Sequence, residues 1–333
     1  MKVSVLITTY NCNTYIDETI ESVINQKVAF PFEIIIGDDG SDDGTIEKLS
    51  TWKERYPKKI RYYVMERETG RIYNKIERAS HNRLNVLEKA KGEYILFLDG
   101  DDVYTDNYKL QKQLDILEDK NNKDCVACAH NSQMIWDDGR IRVINEFEKS
   151  FKMSGKEVWA YGIYFLSESI MFRNIFKQGI PDKLNRNFFD DNIITFVLLQ
   201  HGKFYYIPDN MVNYRQHDES IWNSMGNAEK NIVDLMEYDV ELQFNHKMKY
   251  ASQVRHMRHF TFFLRQKGDV PIELKQKYKE IFLKNGLYYT YKWVWYEEQN
   301  KRNLMKMKIE FIRNTIFFVF TKMKKKIVLA KYK

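Results

Sequence analysis

The stretch Gly92-Glu-Tyr-Ile-Leu-Phe-Leu-Asp-Gly-Asp-Asp102 constrains this chain more than any other. Tyr94 to Leu98 are rich in strand formers and have the length of a buried strand. The strand runs directly into Asp99, Asp101 and Asp102, three carboxylates within four positions. Like charges at the end of a buried strand repel one another and resist loss of water. A divalent cation, alone or with a phosphate ligand, neutralises such a cluster, and hard oxygen donors suit Mg²⁺ or Mn²⁺ better than zinc. A solvated acidic turn is the alternative that this stretch alone leaves open.

The segments before it alternate short apolar runs with helical patterns. Val3–Thr8, Glu33–Gly37 and Ile60–Met65 read as strands; Ile16, Ile20, Val23 and Ile24 recur at helical spacing, and Ala79–Lys91 reads as a helix. Such alternation predicts an α/β fold with a mainly parallel sheet covered on both faces. Ligands of these sheets collect at the carboxyl ends of the strands, where the unusual residues lie. Thr8-Thr-Tyr-Asn11 follows the first strand, Asp38-Asp-Gly-Ser-Asp-Asp-Gly-Thr45 the second, and Asp99–Asp102 the fourth.

Further along, Asn107–Asp119 and Asp191–Gln200 read as helices, and Cys125–Ala129 and Ser169–Phe172 as strands. From Asn227 onward the pattern is of long helices, with Ile232, Leu235, Met236 and Val240 on one face. The expected division is a domain over residues 1–226, with halves near 1–106 and 107–226, and a helical extension over 227–333.

At 333 residues and 44% hydrophobic, the chain has ample material for a packed core. No apolar run reaches the length of a membrane span, and Met1-Lys-Val-Ser-Val opens as a strand without a cleavage site, so the expected location is cytoplasmic. Three cysteines exclude a disulfide framework, and Cys125-Val-Ala-Cys128 lies in an apolar, strand-like run. The net charge of +7 is unevenly spread: residues 301–333 hold eleven Lys or Arg and one acid, Glu310, leaving −3 for residues 1–300. With its body acidic and no recognition module visible, the chain offers no case for nucleic acid. The tail's bases and its apolar runs Ile316–Phe320 and Ile327–Ala330 suit an anionic membrane surface or, equally, an ordinary packed helix.

Several other groups invite chemistry. Asp38 and Asp39 sit where a carboxylate accepts hydrogen bonds from a nucleobase or ribose, though turn geometry alone also explains them. No G-x-G-x-x-G follows the first strand and no P-loop occurs, so phosphates would be held by metal and side chains. In Phe188-Phe-Asp-Asp-Asn192, an acid at a helix start is a general base or simply a cap. Arg215 and His217, two apart on an extended segment, lie on one face and suit a diphosphate or a metal.

Taken together, Val3–Asn11, Glu33–Thr45, Gly92–Asp102 and Tyr214-Arg-Gln-His217 resemble glycosyltransferase family 2 in order and spacing over residues 1–222. The resemblance implies an A-type glycosyltransferase fold, a nucleotide-sugar donor such as a UDP-sugar, Mn²⁺ or Mg²⁺, and inversion at the anomeric carbon. It implies a saccharide or lipid-linked acceptor in cell-surface or capsular polysaccharide synthesis. By position, Thr8, Thr9, Tyr10, Asp38 and Asp39 match nucleoside-binding residues, and Asp99 and Asp101 match the D-x-D acids, with Asp101 the metal ligand. His217 matches a metal or diphosphate position, Arg215 accompanies it, and Trp222 falls where an aromatic faces the sugar. Asp191, eleven residues before Gly202-Lys203, matches the family's base in preference to Asp190. The family's Ala-Arg-Asn-x-Gly segment is replaced here by His81-Asn-Arg-Leu-Asn85, so the resemblance carries only loosely to Asn82 and Arg83 as donor-site residues.

Two other functions are compatible with parts of the pattern. Asp99-Gly-Asp-Asp-Val103 satisfies the D-x-D-x-[TV] motif of haloacid-dehalogenase-like phosphatases, in which Asp99 would be the nucleophile and Asp101 its acid–base partner. That motif normally ends the first strand of its domain, whereas here two strand-and-turn units precede it. An inactive fold kept as a binding subunit is the other.

Overall fold

The computed structural model describes residues 1–68, 70–217, 220, 224–248, 251, 252, 255 and 301–333. The chain begins β1 (Val3–Thr9), α1 (Ile16–Ile24), β2 (Phe32–Asp38), α2 (Thr45–Arg55), β3 (Ile60–Val64), α3 (Lys75–Glu88) and β4 (Tyr94–Asp99). These four strands are parallel, in the order β3-β2-β1-β4. Both faces of β1 and β2 are buried, as a sheet sandwiched between helices requires. On α1, Ile16, Ile20 and Val23 supply the buried stripe. Asn74 starts α3 by accepting from the N–H groups of Ile76 and Glu77.

Two features of this half position the site. The chain winds outward from β1 in both directions, so the strand order reverses between β1 and β4 and a crevice opens at their carboxyl ends. Register then fixes which residues meet there: Thr8 lies opposite Asp99, and Thr9 opposite Asp38.

Beyond β4 come β5 (Val103–Tyr104), α4 (Lys109–Glu118), β6 (Cys125–Trp136), β7 (Ile141–Val143), β8 (Phe151–Ser154), α5 (Gly155–Tyr161), β9 (Met171–Arg173), α6 (Asp191–Leu198) and β10 (Lys203–Gln216). The sheet is therefore mixed, and the expected parallel order holds only for its first half and for β6 with β10. Short β9 runs antiparallel to both β4 and β6 and joins the two halves. Antiparallel pairing of β5 with β10 matches Val212 to Tyr104 and Asn213 to Val103, which returns the end of β10 to the acidic turn after β4. Cys125 and Cys128 are buried free thiols on β6 within the core.

The chain divides into two compact units, one of residues 1–155, 164–223 and 332–333, the other of 156–163 and 224–331. The second contains α7 (Asn227–Phe244) and α8 (Lys301–Ala330). Leu235 and Val240 are buried on α7 as their spacing predicts, and Trp159 Nε1 donates to Glu241 Oε2 at 3.2 Å.

The packing of α3 on β2 depends on Gly37. A Cβ there would lie 2.1 Å from Asn82 Oδ1 and 2.7 Å from Val86 Cγ1. Asn82 uses this close approach to donate Nδ2–H to the Gly37 carbonyl at 2.8 Å. Gly37→Ala should therefore lower the urea-unfolding free energy by about 1–3 kcal/mol; an unchanged midpoint would mean that helix and sheet are less closely fitted than described.

Candidate active site

The turn after β2 is built by its own first carboxylate. Asp38 is buried and accepts from the N–H groups of Gly40 (3.0 Å) and Ser41 (2.8 Å) and from Ser41 Oγ (2.6 Å). Burial pushes its pKa above the ordinary carboxylate value, while these donors oppose the rise. Gly40, at φ +74°, supplies the left-handed residue the turn needs. Asp38 thus shapes the loop, and Asp39 is the acid it presents. Asp39 is ion-paired with Arg67 at 2.5 Å and also with Arg78. The Arg67 guanidinium lies 4.0 Å from the ring centre of exposed Tyr10 and 5.4 Å from that of Tyr73. An aromatic face, a carboxylate and two guanidinium groups converge here, a combination suited to a flat, hydrogen-bonding ring.

At the end of β4, each acid has a different partner. Thr8 Oγ1 donates to Asp99 Oδ1 at 2.8 Å, and Arg83 Nη2 lies 3.5 Å from the same oxygen. Asp101 Oδ2 is 2.8 Å from His217 Nε2. Asp102 is buried and accepts from the Arg215 backbone N–H at 2.9 Å. Arg215 also donates to the Asp101 carbonyl at 2.6 Å and pairs with Glu18, and its guanidinium lies 5.2 Å from the Tyr15 ring, which stacks on His217. Arg215 therefore clamps the end of β10 onto the acidic turn and holds His217 against Asp101.

Behind this turn, Glu168 joins Asp99 and Asp102 in a cluster whose nearest ligand atoms all lie within 4.8 Å of one another. Glu168 is 2% exposed; Ser167 Oγ donates to one oxygen at 3.0 Å, and the other has no hydrogen-bond partner among the described residues. Asp102 Oδ2 is similarly without one. Burial, reinforced by mutual repulsion, pushes the pKa of Asp102 and Glu168 well up and that of Asp99 up. Burial works against charge on Arg83, but Asp99, Asp191 and Glu168 more than offset it and hold the guanidinium firmly protonated.

The two acids at the start of α6 have different surroundings. Asp190 is the N-cap, accepting from the Ile193 N–H at 2.8 Å. Asp191, one residue on, lies near enough to Arg83, Asp99 and Glu168 to shift the ionisation of all three.

The structure thus brings Thr8, Arg83, Asp99, Asp101, Asp191, Arg215 and His217 to one region, with Tyr10 and Asp39 at the end of the neighbouring strands. Thr9 and Asn82 both make contacts inside the fold. Thr9 is buried, where Gly100 leaves its hydroxyl room, and Asn82 is turned under the sheet onto Gly37. Trp222 and the Ile232 side chain lie outside the described residues. Sequence reasoning missed Arg67, Tyr73, Arg78 and Glu168. The end of β3 was open to the same strand-end rule that found Asp39 and points toward Arg67; for Glu168 the one signal was an acid inside the apolar run Tyr164–Phe172.

The fold is an α/β domain whose strand order reverses between β1 and β4. The profile of Glycosyl transferase family 2 matches residues 4–179, and the chain belongs to that family. Uncharacterized protein Rv1520 of Mycobacterium tuberculosis is 28% identical over 66% of this chain and 60% of its own length. The chain therefore spans about three-fifths of the curated relatives it first matches. The putative teichuronic acid biosynthesis glycosyltransferase TuaG of Bacillus subtilis is 36% identical over 35% of this chain and 42% of its own. Among solved structures, S. aureus TarS 1-349 in complex with UDP-GlcNAc shares the fold, with a TM-score of 0.61, 18% identity, and coverage of 99% of this chain and 92% of that one. Family membership removes the phosphatase alternative, and the topology agrees: Asp99 ends β4, after three strands of the same sheet.

The buried cluster makes a prediction about stability. A carboxyl whose folded pKa is raised binds its proton more tightly in the folded state, so stability is lost as pH rises from the unfolded value through the folded one. Glu168→Gln removes that loss. In EDTA the variant should melt like the parent near pH 4 and increasingly above it toward pH 8, by about 1.4 kcal/mol per unit of pKa elevation. A gain independent of pH would contradict this electrostatic account.

Proposed function

We propose that this protein is an inverting glycosyltransferase that moves a sugar from a UDP-sugar to a hydroxyl of a saccharide or lipid-linked saccharide, in cell-surface polysaccharide synthesis. The observation that carries the reading is the division at the start of α6. Asp190 is tied up as the cap, and its neighbour Asp191 sits beside Arg83 and Asp99 at the strand-end crevice. The wider context supports it: relatives include the minor teichoic acid biosynthesis protein GgaA of Bacillus subtilis, and TarS has been solved with UDP-GlcNAc.

In this reading Tyr10 and Asp39, with Arg67 and Arg78, hold the nucleoside, and Thr8 fixes the orientation of Asp99. The donors on this chain suit a hard divalent cation, since Asp101 Oδ2 and His217 Nε2 converge in an acidic turn where buried carboxylate oxygens remain unpartnered. Asp101 and His217, with Asp99, would hold Mn²⁺ or Mg²⁺, which when bound stabilises negative charge on the departing diphosphate. Arg215 keeps His217 aligned with Asp101. The Asp191 carboxylate accepts the proton of the acceptor hydroxyl as that oxygen bonds to the anomeric carbon and the bond to the diphosphate oxygen breaks. Attack opposite the leaving group inverts the configuration. Arg83 lies within electrostatic reach of Asp191.

Removing the base should separate binding from turnover. Asp191→Asn is expected to lose about 10²–10⁴ in turnover while binding UDP as the parent does. Near-parental turnover would move the role elsewhere, and a parent with no turnover on any nucleotide sugar would favour a binding subunit. For the metal, calorimetry of UDP with Mn²⁺ should show at least about tenfold weaker binding by Asp101→Asn than by the parent. Equal, metal-independent affinity of the two would contradict the assignment.

A further inference from the structure

Nothing in the transfer chemistry uses α8, yet it carries the largest apolar surface described on the second unit. Ile309, Ile312, Ile316, Phe320, Met323 and Ile327 are each 54–75% exposed. Their spacings of three or four residues place them within about 80° of the helix circumference, a continuous stripe about 27 Å long. The opposite face is used internally, since Thr321 and Leu329 are buried. The helix thus divides the run Ile316–Phe320, turning Ile316, Val319 and Phe320 outward. It divides Ile327–Ala330 too, with Ile327 outward and Leu329 inward.

Charge decides what covers the stripe. At 100° per residue, Arg313 and Lys324 flank it on one side and Lys322 and Lys326 on the other, all four exposed. Residues 301–333 offer one acid, Glu310, to balance eleven bases. A second copy docking on the stripe would set these bases against their own kind. A bilayer with anionic headgroups takes the apolar stripe into its acyl boundary and the flanking bases into its negative surface. Among the described residues no helix is long and apolar enough to cross a membrane.

We infer that α8 lies in the plane of an anionic membrane surface, with the Ile309–Ile327 stripe immersed and Arg313, Lys322, Lys324 and Lys326 at the headgroups. This deepens the proposed function by bringing the enzyme to a membrane that carries lipid-linked acceptors, but its test reads binding and not transfer. The 333-residue chain should float with vesicles of phosphatidylcholine and phosphatidylglycerol and stay behind with phosphatidylcholine alone. Ile316→Glu/Phe320→Glu should partition at least about tenfold more weakly, with the parent's melting temperature and UDP affinity. Lys322→Glu/Lys326→Glu, which alters exposed positions only, should show a comparable loss that salt imitates in the parent. Flotation of both variants equal to the parent's overturns the inference, as does a parent that fails to float. Sedimentation of the parent as an oligomer that Ile316→Glu/Phe320→Glu dissociates, without flotation, would assign the stripe to a second copy instead. A parent that floats yet transfers sugar from no nucleotide sugar would count against the transfer reading alone.

Discussion

Crowded negative charge at the carboxyl end of β4 is the constraint around which the first unit is arranged. Asp99, Asp101 and Asp102 are fixed there by the strand, and Glu168 and Asp191 are brought to them from far along the chain. Such a cluster is unstable unless each member is protonated, paired or neutralised by a cation. The structure distributes these solutions unequally. Asp99 has Thr8 and Arg83, Asp101 has His217, Asp102 has a backbone N–H, and Glu168 has Ser167. The residues with the least compensation, Asp102 and Glu168, are those whose protonated forms burial favours most.

The mixed half of the sheet becomes intelligible from this constraint. β10 shares a parallel partner, β6, but its antiparallel pairing with β5 carries Tyr214–His217 back across the acidic turn. Arg215 then closes the turn with three contacts, two of them to backbone atoms or by its own backbone. The long strand is in effect the arm that delivers one histidine and one arginine to a site begun more than a hundred residues earlier. In the turn after β2, Asp38 spends its hydrogen bonds on the loop, and buried Asp39 pairs with Arg67 and Arg78.

What was legible in the sequence is what local pattern specifies. Strands β1 to β4 and their acidic ends follow from apolar runs and the turn residues adjacent to them, whereas local pattern reads Asp190-Asp191 only as a helix start, and the preference for Asp191 as a base comes from the resemblance to the family. Asp39, Asp99, Asp101 and His217 stand out because each sits at a strand end beside a composition change. The rest depends on contacts between distant segments. Nothing near Asn82 announces that Gly37 would draw it under the sheet, and nothing near Arg78 announces Asp39. The antiparallel insertion of three-residue β9 is too short to leave a period. In α8 the two apolar runs look alike in sequence, and only the helix's packing shows which residues of each face out.

In the proposed function, the end of β4 and the end of β10 together hold the donor's diphosphate through a divalent cation. Crystals grown with UDP and Mn²⁺, measured at the manganese absorption edge, test it most directly. One anomalous peak is expected within ligand distance of Asp101 and His217, with the uracil ring near Tyr10 and Asp39. UDP bound with no peak there, and with the Asp101–His217 contact unchanged, would contradict it.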